Sequence, residues 1–430
     1  MQHPPDSVAP QPEPRAAVLG RFLRGSLGSG VAVLVRAAGA VVLNKLLALY
    51  GGAGGITLLA HFQNLMALFT TLPNDGVHVG LVKYLAPLRP GSGRYRAWWG
   101  ASLILNVGAL LLGFLLLALV PNPLIGMFRP TIGWGGLFAL GITLLTGHAL
   151  LVSVLLAAGQ LRQYVLLTVL LSSLGVGAVA TVLALGGSSE SALLAYLFAQ
   201  GMTIVPTLLL AHRAGLLPRL TGRFSQPALR GLSRFLLMAV SVLLFGKSID
   251  FAMREVLIRQ LGLSQTDLWQ AIAKLSDNYT MVFSAIMGSV YYPRLAAFSA
   301  QPLQRKALVR AVLALLAPAI LVGFVVLWLL RVWLLPLLFD QHFVAAAPLL
   351  APQLVGDWAK FLTWTLLYLL TVQAQVGRYI FVQAASAVLY AVLLVWLLPH
   401  YGLMGAPLAH AARFWLLLPG CLWYFRRDIV

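Results

Sequence analysis

The sequence predicts an all-α polytopic membrane protein: twelve transmembrane helices in two six-helix lobes, related as parallel repeats, around a central cavity. Three observations predict it. Hydrophobic residues make up 60% of the 430-residue chain and charged residues only 10%, against about 25% charged in a soluble domain. So few charges could not cover a water-soluble surface of this size, so lipid must act as solvent over most of it. Twelve apolar stretches reach the about 20 residues that cross a bilayer, and one loop-to-helix junction recurs at an offset of 215 residues.

Taken in order, residues 1–20 are polar and Pro-rich and are expected to form a disordered cytoplasmic tail. Within 15–24, Leu19, Phe22 and Leu23 suit an amphipathic stretch on the membrane surface. No secretory signal is expected, because the first apolar run starts late and no small-residue cleavage site follows it. Spans at 27–49, 55–87, 98–120, 133–157, 163–185 and 191–212 make an N-lobe over 21–212. The longest connection, 213–231, contains the helix-breaking run Leu216-Leu217-Pro218-Arg219 and reads as a cytoplasmic linker. Spans at 232–258, 267–299, 309–332, 344–372, 379–398 and 403–425 make a C-lobe over 232–430.

The repeated junction places Gly159-Gln160-Leu161-Arg162-Gln163-Tyr164-Val165-Leu166 on Ala374-Gln375-Val376-Gly377-Arg378-Tyr379-Ile380-Phe381. Both copies lie between the fourth and fifth spans of their half. An even number of spans per half makes the repeats parallel, about an axis along the membrane normal, with a substrate path between them.

The net charge of +19 would suggest nucleic acid in a soluble protein. Here the basic residues fall in seven separate loop segments. Nineteen lie on the side of the N-terminus and three on the other, so both termini are expected in the cytoplasm and no nucleic-acid partner is implied. Cys421 is the one cysteine, which excludes an intrachain disulfide and a cysteine-based metal site. No Walker A motif, metal-ligand spacing, cofactor motif or nucleophile motif is present. The expected class is a transporter, not an enzyme.

Ionisable groups at bilayer depth cost at least ~2.5–3.5 kcal/mol each and tend to face a cavity or a partner. The basic ones are Arg36, Lys45, Lys83, Lys247, Arg254, Lys274, Lys360 and Arg413, and the acidic ones Asp75, Asp250, Glu255, Asp277 and Asp357. Lys247/Asp250, Lys274/Asp277 and Asp357/Lys360 are spaced i,i+3 and Asp250/Arg254 i,i+4, so each pair shares a helix face. Such pairs either neutralise one another and lock packing or line a wet cavity. In the second case Asp277 and Asp357 are candidates for proton coupling, and Asp75 and Asp250 for gating. In the first half the bases outnumber the acids, a surplus that fits a phosphate-bearing substrate better than a cationic drug. Lys45 and Lys83, near span ends, can also snorkel to the interface.

The second span would run about 50 Å as straight helix, longer than a ~30 Å hydrocarbon core. Pro73-Asn74-Asp75-Gly76 near its middle predicts a break, with Pro73 and Gly76 as hinge residues. His61 and His78 beside it read as polar packing residues. The eighth span carries Trp269, Gln270, Lys274, Asp277, Asn278, Tyr279, Tyr291 and Tyr292. Aromatic faces stack on sugar rings and amides bond hydroxyls, so this stripe is the candidate glycan contact.

Trp269-Gln270, Ser276-Asp277-Asn278-Tyr279, Tyr292-Pro293-Arg294-Leu295, Gly80-Leu81-Val82-Lys83-Tyr84-Leu85-Ala86 and Pro352-Gln353-Leu354-Val355-Gly356-Asp357-Trp358-Ala359-Lys360 together resemble the Wzx-type oligosaccharide-lipid flippases. The resemblance runs over nearly the whole chain beyond residue 20. Within that family it is nearest the branch that serves lipid III of enterobacterial common antigen synthesis. It departs at His61-Phe62-Gln63, where a basic residue is expected, and in the tail and the Pro-Asn-Asp-Gly turn. The family belongs to the multidrug/oligosaccharidyl-lipid/polysaccharide exporter superfamily. The resemblance implies two six-helix lobes forming a V, and alternating access driven by an ion gradient. It implies transfer of an undecaprenyl-pyrophosphate-linked oligosaccharide from the cytoplasmic to the periplasmic leaflet of a bacterial inner membrane.

On that reading the pyrophosphate meets Arg36, Lys45, Lys83 and Arg254, the eighth span with Lys360 holds the glycan, and the prenyl tail stays in the phospholipid bilayer. The protein is expected to be a monomer that works beside a glycan polymerase and a chain-length regulator. No cofactor is implied. A cation-coupled multidrug antiporter of the same superfamily and a non-transporting scaffold of a glycan-assembly complex are the alternatives. A lipid II flippase fits less well, because those generally have fourteen spans.

Overall fold

The computed structural model describes residues 34–119, 125–128, 131–218, 225–298, 301–373 and 375–429. The expected tail over 1–20, the surface stretch over 15–24 and the middle of the linker lie outside the described residues. Those described are helical, with no strand among them.

Leu-, Ala- and Val-rich runs supply the helices, and polar caps or glycines end them. The first half comprises α1 (34–50), α2 (Gly55–Leu85), α3 (Gly93–Leu119), α4 (Ile132–Ala157), α5 (Leu161–Ala184) and α6 (Ser189–Arg213). The second comprises α7 (226–261), α8 (263–297), α9 (Pro302–Leu329), the short α10 (Arg331–Leu338), α11 (Ala347–Val372), α12 (Val376–Tyr401) and α13 (Gly405–Tyr424). Thr131 caps α4 by accepting from Trp134 N at 3.1 Å, and Ser188 caps α6 by accepting from Ser191 N at 3.3 Å.

Eight helical stretches among the described residues are long and apolar enough to cross a membrane. Two of them contain a sharp turn. Gln226–Ser284 turns at Gly262, with φ 77° and ψ 170°, and Val376–Tyr424 turns at Gly402, with φ 54° and ψ −137°. These left-handed values exclude ordinary side chains and require glycine. α11 falls outside the eight because Asp357 and Lys360 lower its hydropathy.

Buried apolar side chains form separate cores. Leu47, Phe62, Phe138 and Leu193 join α1, α2, α4 and α6. Leu81, Trp99, Leu155 and Leu167 join α2, α3, α4 and α5. Ile272, Phe324, Leu366, Leu394 and Phe414 join α8, α9, α11, α12 and α13. The halves also exchange helix ends. Ile56 of α2 sits in the second-half core, while Leu232 and Ala239 of α7 bury against Ala101 of α3 and Leu72 of α2.

Lipid supplies no hydrophobic drive between helices, so small residues that permit close packing matter more. A Cβ on Gly356 of α11 would stand 2.7 Å from Ala411 Cα of α13. One on Gly80 of α2 would stand 2.8 Å from a Leu232 methyl of α7.

The junctions matched by the repeat share one backbone conformation. Gln160 has φ −79° and ψ 56°, and Gln375 has φ −82° and ψ 61°. Each donates its N–H back to the preceding helix, to Leu155 O and Leu370 O, both at 2.9 Å.

The expected break in α2 is a widened turn instead. Leu72–His78 is π-helical and the chain stays helical to Leu85. The i→i+5 pattern accommodates Pro73 without freeing a run of backbone groups. Two further π segments, Leu243–Lys247 in α7 and Met287–Tyr291 in α8, were not anticipated.

Candidate functional site

Asp357 on α11 is fully buried. Its Oδ2 accepts from Ser276 at 2.7 Å, from the Tyr279 hydroxyl at 2.5 Å and from Gln353 at 3.1 Å. Its Oδ1 pairs with Lys360 and lies 3.0 Å from His410 Nε2. Lys360 also donates to Thr280 at 3.0 Å and lies over the Trp364 ring. The i,i+3 spacing puts Asp357 and Lys360 on one face of α11, and α8 and α13 complete the shell. With partners on three helices, the carboxylate ties α8, α11 and α13 together.

A second group of charges lies where α2 meets α7 and α8. Asp75, Asp250 and Asp277 are exposed there. Asp250 lies in the fields of Lys247, Arg254 and Arg413, and against the like charge of Asp277. Asp75 lies in the field of Lys247.

Three polar contacts then run down one stripe of α2 from the second half. Asp267 Oδ1 accepts from Thr57 N at 2.6 Å. Arg254 reaches Ala60 O at 3.4 Å while its Nε donates to Gln270 at 2.7 Å. Lys274 donates to Gln63 at 2.5 Å. Positions 57, 60 and 63 are three apart and share a face. Asp267 supplies from another helix the cap that Gly54 cannot give, and its charge suits the positive end of α2.

Inside the first half, α1, α2, α4, α5 and α6 line a half-open cavity of about 610 Å³ that Met281 of α8 also touches. Arg36 opens into it, together with Gln63, Asn74, His148, Tyr196 and Gln200. The Tyr196 hydroxyl is within hydrogen-bonding reach of Gln63 and Gln200 and lies in the field of Arg36. No carboxylate is among the described residues that line it.

The sequence-predicted residues therefore divide. Arg36 faces the first-half cavity, and Arg254 and Lys274 face α2 across the interface. Lys45 donates to Leu337 O on α10 at 2.7 Å, and exposed Lys83 lies over the Tyr84 and Phe235 rings. The four cations proposed for one diphosphate thus have separate surroundings. On α8, Trp269 is buried in the second-half core, Gln270 serves Arg254 and Tyr279 serves Asp357, while Asn278 is half-buried. Pro73 and Gly76 are buried, with Gly76 against Leu236 and Ala239.

His61 meets the Phe128 and Phe251 rings at a tilt, and His78 Nε2 lies 2.7 Å from Asn106. Sequence reasoning missed Asp267, His410, Tyr196 and Gln200. Asp267 opens the eighth span and reads as a boundary residue. The other three show their role only once distant helices meet.

No protein-family model matches the chain. It is 27% identical to the lipid III flippase of Escherichia coli (strain K12) over 397 residues, which cover 91% of this chain and 95% of the relative. The lipid III flippase of Shigella flexneri matches to the same extent. Among solved structures, a multidrug resistance MATE family transporter of the MOP superfamily, inward-facing, superposes with a TM-score of 0.68 at 15% identity, covering 92% of this chain and 94% of that one. Lipid II flippase MurJ, inward closed, gives 0.66 at 11% identity over 94% and 87%. The chain resembles the lipid III flippases over almost its full length and shares the all-helical, multi-pass fold of these transporters.

Proposed function

We propose that this chain is a flippase for an undecaprenyl-pyrophosphate-linked oligosaccharide, moving it from the cytoplasmic to the periplasmic leaflet of a bacterial inner membrane. The observation that carries the reading is that likeness to a lipid III flippase runs the length of both chains. The proposed architecture is twelve spans, α1–α9 and α11–α13, in an N-lobe (21–212) and a C-lobe (232–430) joined by 213–231, with both termini cytoplasmic. The matched junctions at Gln160 and Gln375 and the separate cores support it.

In the proposed cycle, surplus positive charge on the inner surfaces attracts the diphosphate: Arg36 in the first half, with Arg254, Lys274 and Lys247 opposite, and Lys83 and Lys45 toward the ends of the path. Charge-assisted bonds to phosphoryl oxygens are about twice as strong as neutral ones. The glycan occupies the wet interior and the prenyl tail remains in lipid. Opening the opposite side requires α2 to release Asp267, Arg254 and Lys274, and π segments in α2, α7 and α8 can absorb the bending. Asp75, Asp250 and Asp277 are the proposed ion-coupling carboxylates, because they are exposed, whereas Asp357 is engaged on both oxygens. The protein is proposed to act as a monomer alongside a glycan polymerase and chain-length regulator.

The test is deletion of the gene in its host, followed by analysis of the prenyl-linked intermediates. Accumulation of a complete, unpolymerised lipid-linked glycan at the cytoplasmic leaflet is expected. Unchanged intermediates together with lost resistance to cationic drugs would instead favour the antiporter reading.

A further inference from the structure

The second half carries an almost wholly apolar groove of about 450 Å³, within the about 300–1,000 Å³ typical of small-ligand sites. It lies where α9 and α13 both pack on α11. Phe324 and Trp328 of α9, Leu354, Val355 and Trp358 of α11, and Trp415 of α13 line it. Trp358 Nε1 donates to Ala317 O at 2.9 Å and Trp415 Nε1 to Val355 O at 3.2 Å. The two indoles stack with centroids 5.7 Å apart. Their N–H groups are thus spent on the protein, and the groove offers ring faces and hydrocarbon.

Tryptophan in membrane proteins gathers at the two interfaces. Trp358 and Trp415 instead lie near the middles of α11 and α13, about 15 Å from the helix starts. Anchoring at an interface does not account for them. The groove runs from this pair to Trp328, at the end of α9. Its length of about 15 Å is half of a ~30 Å hydrocarbon core, or one leaflet.

Arg331, the first residue of α10, stands at the outer end. Its guanidinium lies 4.2 Å from the Trp328 ring centroid, and Nη1 donates to Trp328 O at 2.6 Å. A guanidinium has five donors, in a fork that matches phosphate oxygens. On the proposed topology this end is opposite the termini, where the sequence places three basic residues against nineteen. Arg331 therefore does not belong to the general positive-inside bias. A hydrocarbon without a headgroup would leave the guanidinium unused, and an undecaprenyl chain would overrun a groove one leaflet long.

We propose that this groove binds one anionic phospholipid of that leaflet, with an acyl chain against Trp358 and Trp415 and the phosphate on Arg331. The chain bridges α9 to α13, and α9 has the smallest buried share of the eight spanning stretches. Phe324 on the wall also meets the Tyr279 ring, 5.2 Å between centroids, which joins the groove to the Asp357 shell. The inference does not depend on what the protein transports.

The test titrates delipidated, full-length protein in mild detergent with dioleoyl-phosphatidylglycerol, and in parallel with dioleoyl-phosphatidylcholine and undecaprenyl phosphate. Bound lipid is counted by native mass spectrometry and the thermal midpoint is followed. Retention of one phosphatidylglycerol per protein, with a rise in midpoint, is expected. Arg331→Gln should weaken that retention about tenfold, leaving it no better than that of phosphatidylcholine. Val355→Trp fills the groove from α11 and should abolish retention. Leu321→Trp does the same from α9, so the question stays answerable if one filled variant fails to fold. Equal retention of the two phospholipids, retention unchanged by Arg331→Gln, or retention that survives filling would overturn the proposal. Preference for undecaprenyl phosphate over phosphatidylglycerol would overturn it too, by assigning the groove to a prenyl chain.

Discussion

Asp357 shows how much of a buried charge's meaning depends on what lies around it. Its i,i+3 spacing from Lys360 was legible in the sequence, but two roles were compatible with that spacing. Ser276, Tyr279 and His410, brought in by α8 and α13, add partners that the spacing does not show, and we propose the structural role on that ground. Asp357→Ala would leave Lys360 buried without its counter-charge, a loss of about 3–5 kcal/mol. A large fall in thermal midpoint and in folded yield is the expected outcome. Adding Lys360→Ala should recover part of the loss, because the two sites are directly coupled. Asp250→Asn should leave the midpoint close to wild type and alter the dependence of transport on ion gradients. An Asp250→Asn protein as unstable as Asp357→Ala would remove the distinction.

At the scale of the element, α2 is the part the sequence described most nearly and still misread in one respect. Its length and its Pro-Asn-Asp-Gly run marked it as unusual, and the expected break is a π turn. Composition registers that the local geometry is irregular. Whether the chain breaks or widens depends on the neighbours that can satisfy freed groups, and here α7 packs tightly along the turn. Gly76 and Gly80 permit that contact: Gly80→Leu would collide with Leu232 and Phe235. Lost transport with lowered stability is expected, read as translocation rate and thermal midpoint. Gly262→Ala forces a side chain into φ 77°, a strain of about 1–3 kcal/mol, and should lower the midpoint without touching any charged group.

For the whole molecule, low charge and apolar runs of spanning length were enough to indicate an all-helical multi-pass chain, because bilayer thickness sets that length. The interior surfaces were less legible. The sequence shows more cations than carboxylates within the spans, yet Lys45 and Lys83 have partners in α10 and α7 that no spacing rule announces. The neutral set of Gln63, Tyr196 and Gln200 carries no signal until α2 and α6 meet. The stripe at 57, 60 and 63 of α2 predicts a whole-molecule effect. Asp267→Ala removes a cap worth about 1 kcal/mol, and one tie between the halves goes with it. Faster maleimide labelling of an introduced Thr57→Cys thiol from the side opposite the termini is expected. An unchanged rate would mean the contact does not hold that side closed.

The central claim, that the positive interior of this chain carries a diphosphate-linked glycan across the bilayer, is tested most directly by translocation in proteoliposomes. Undecaprenyl-pyrophosphate-linked oligosaccharide is placed in both leaflets, and its exposure to an external glycosidase is followed over time. Wild-type protein should make the inner pool accessible, and Arg36→Ala should reduce the rate to that of protein-free vesicles while folding normally. Equal rates with and without the wild-type protein, or full activity in Arg36→Ala, would contradict the account.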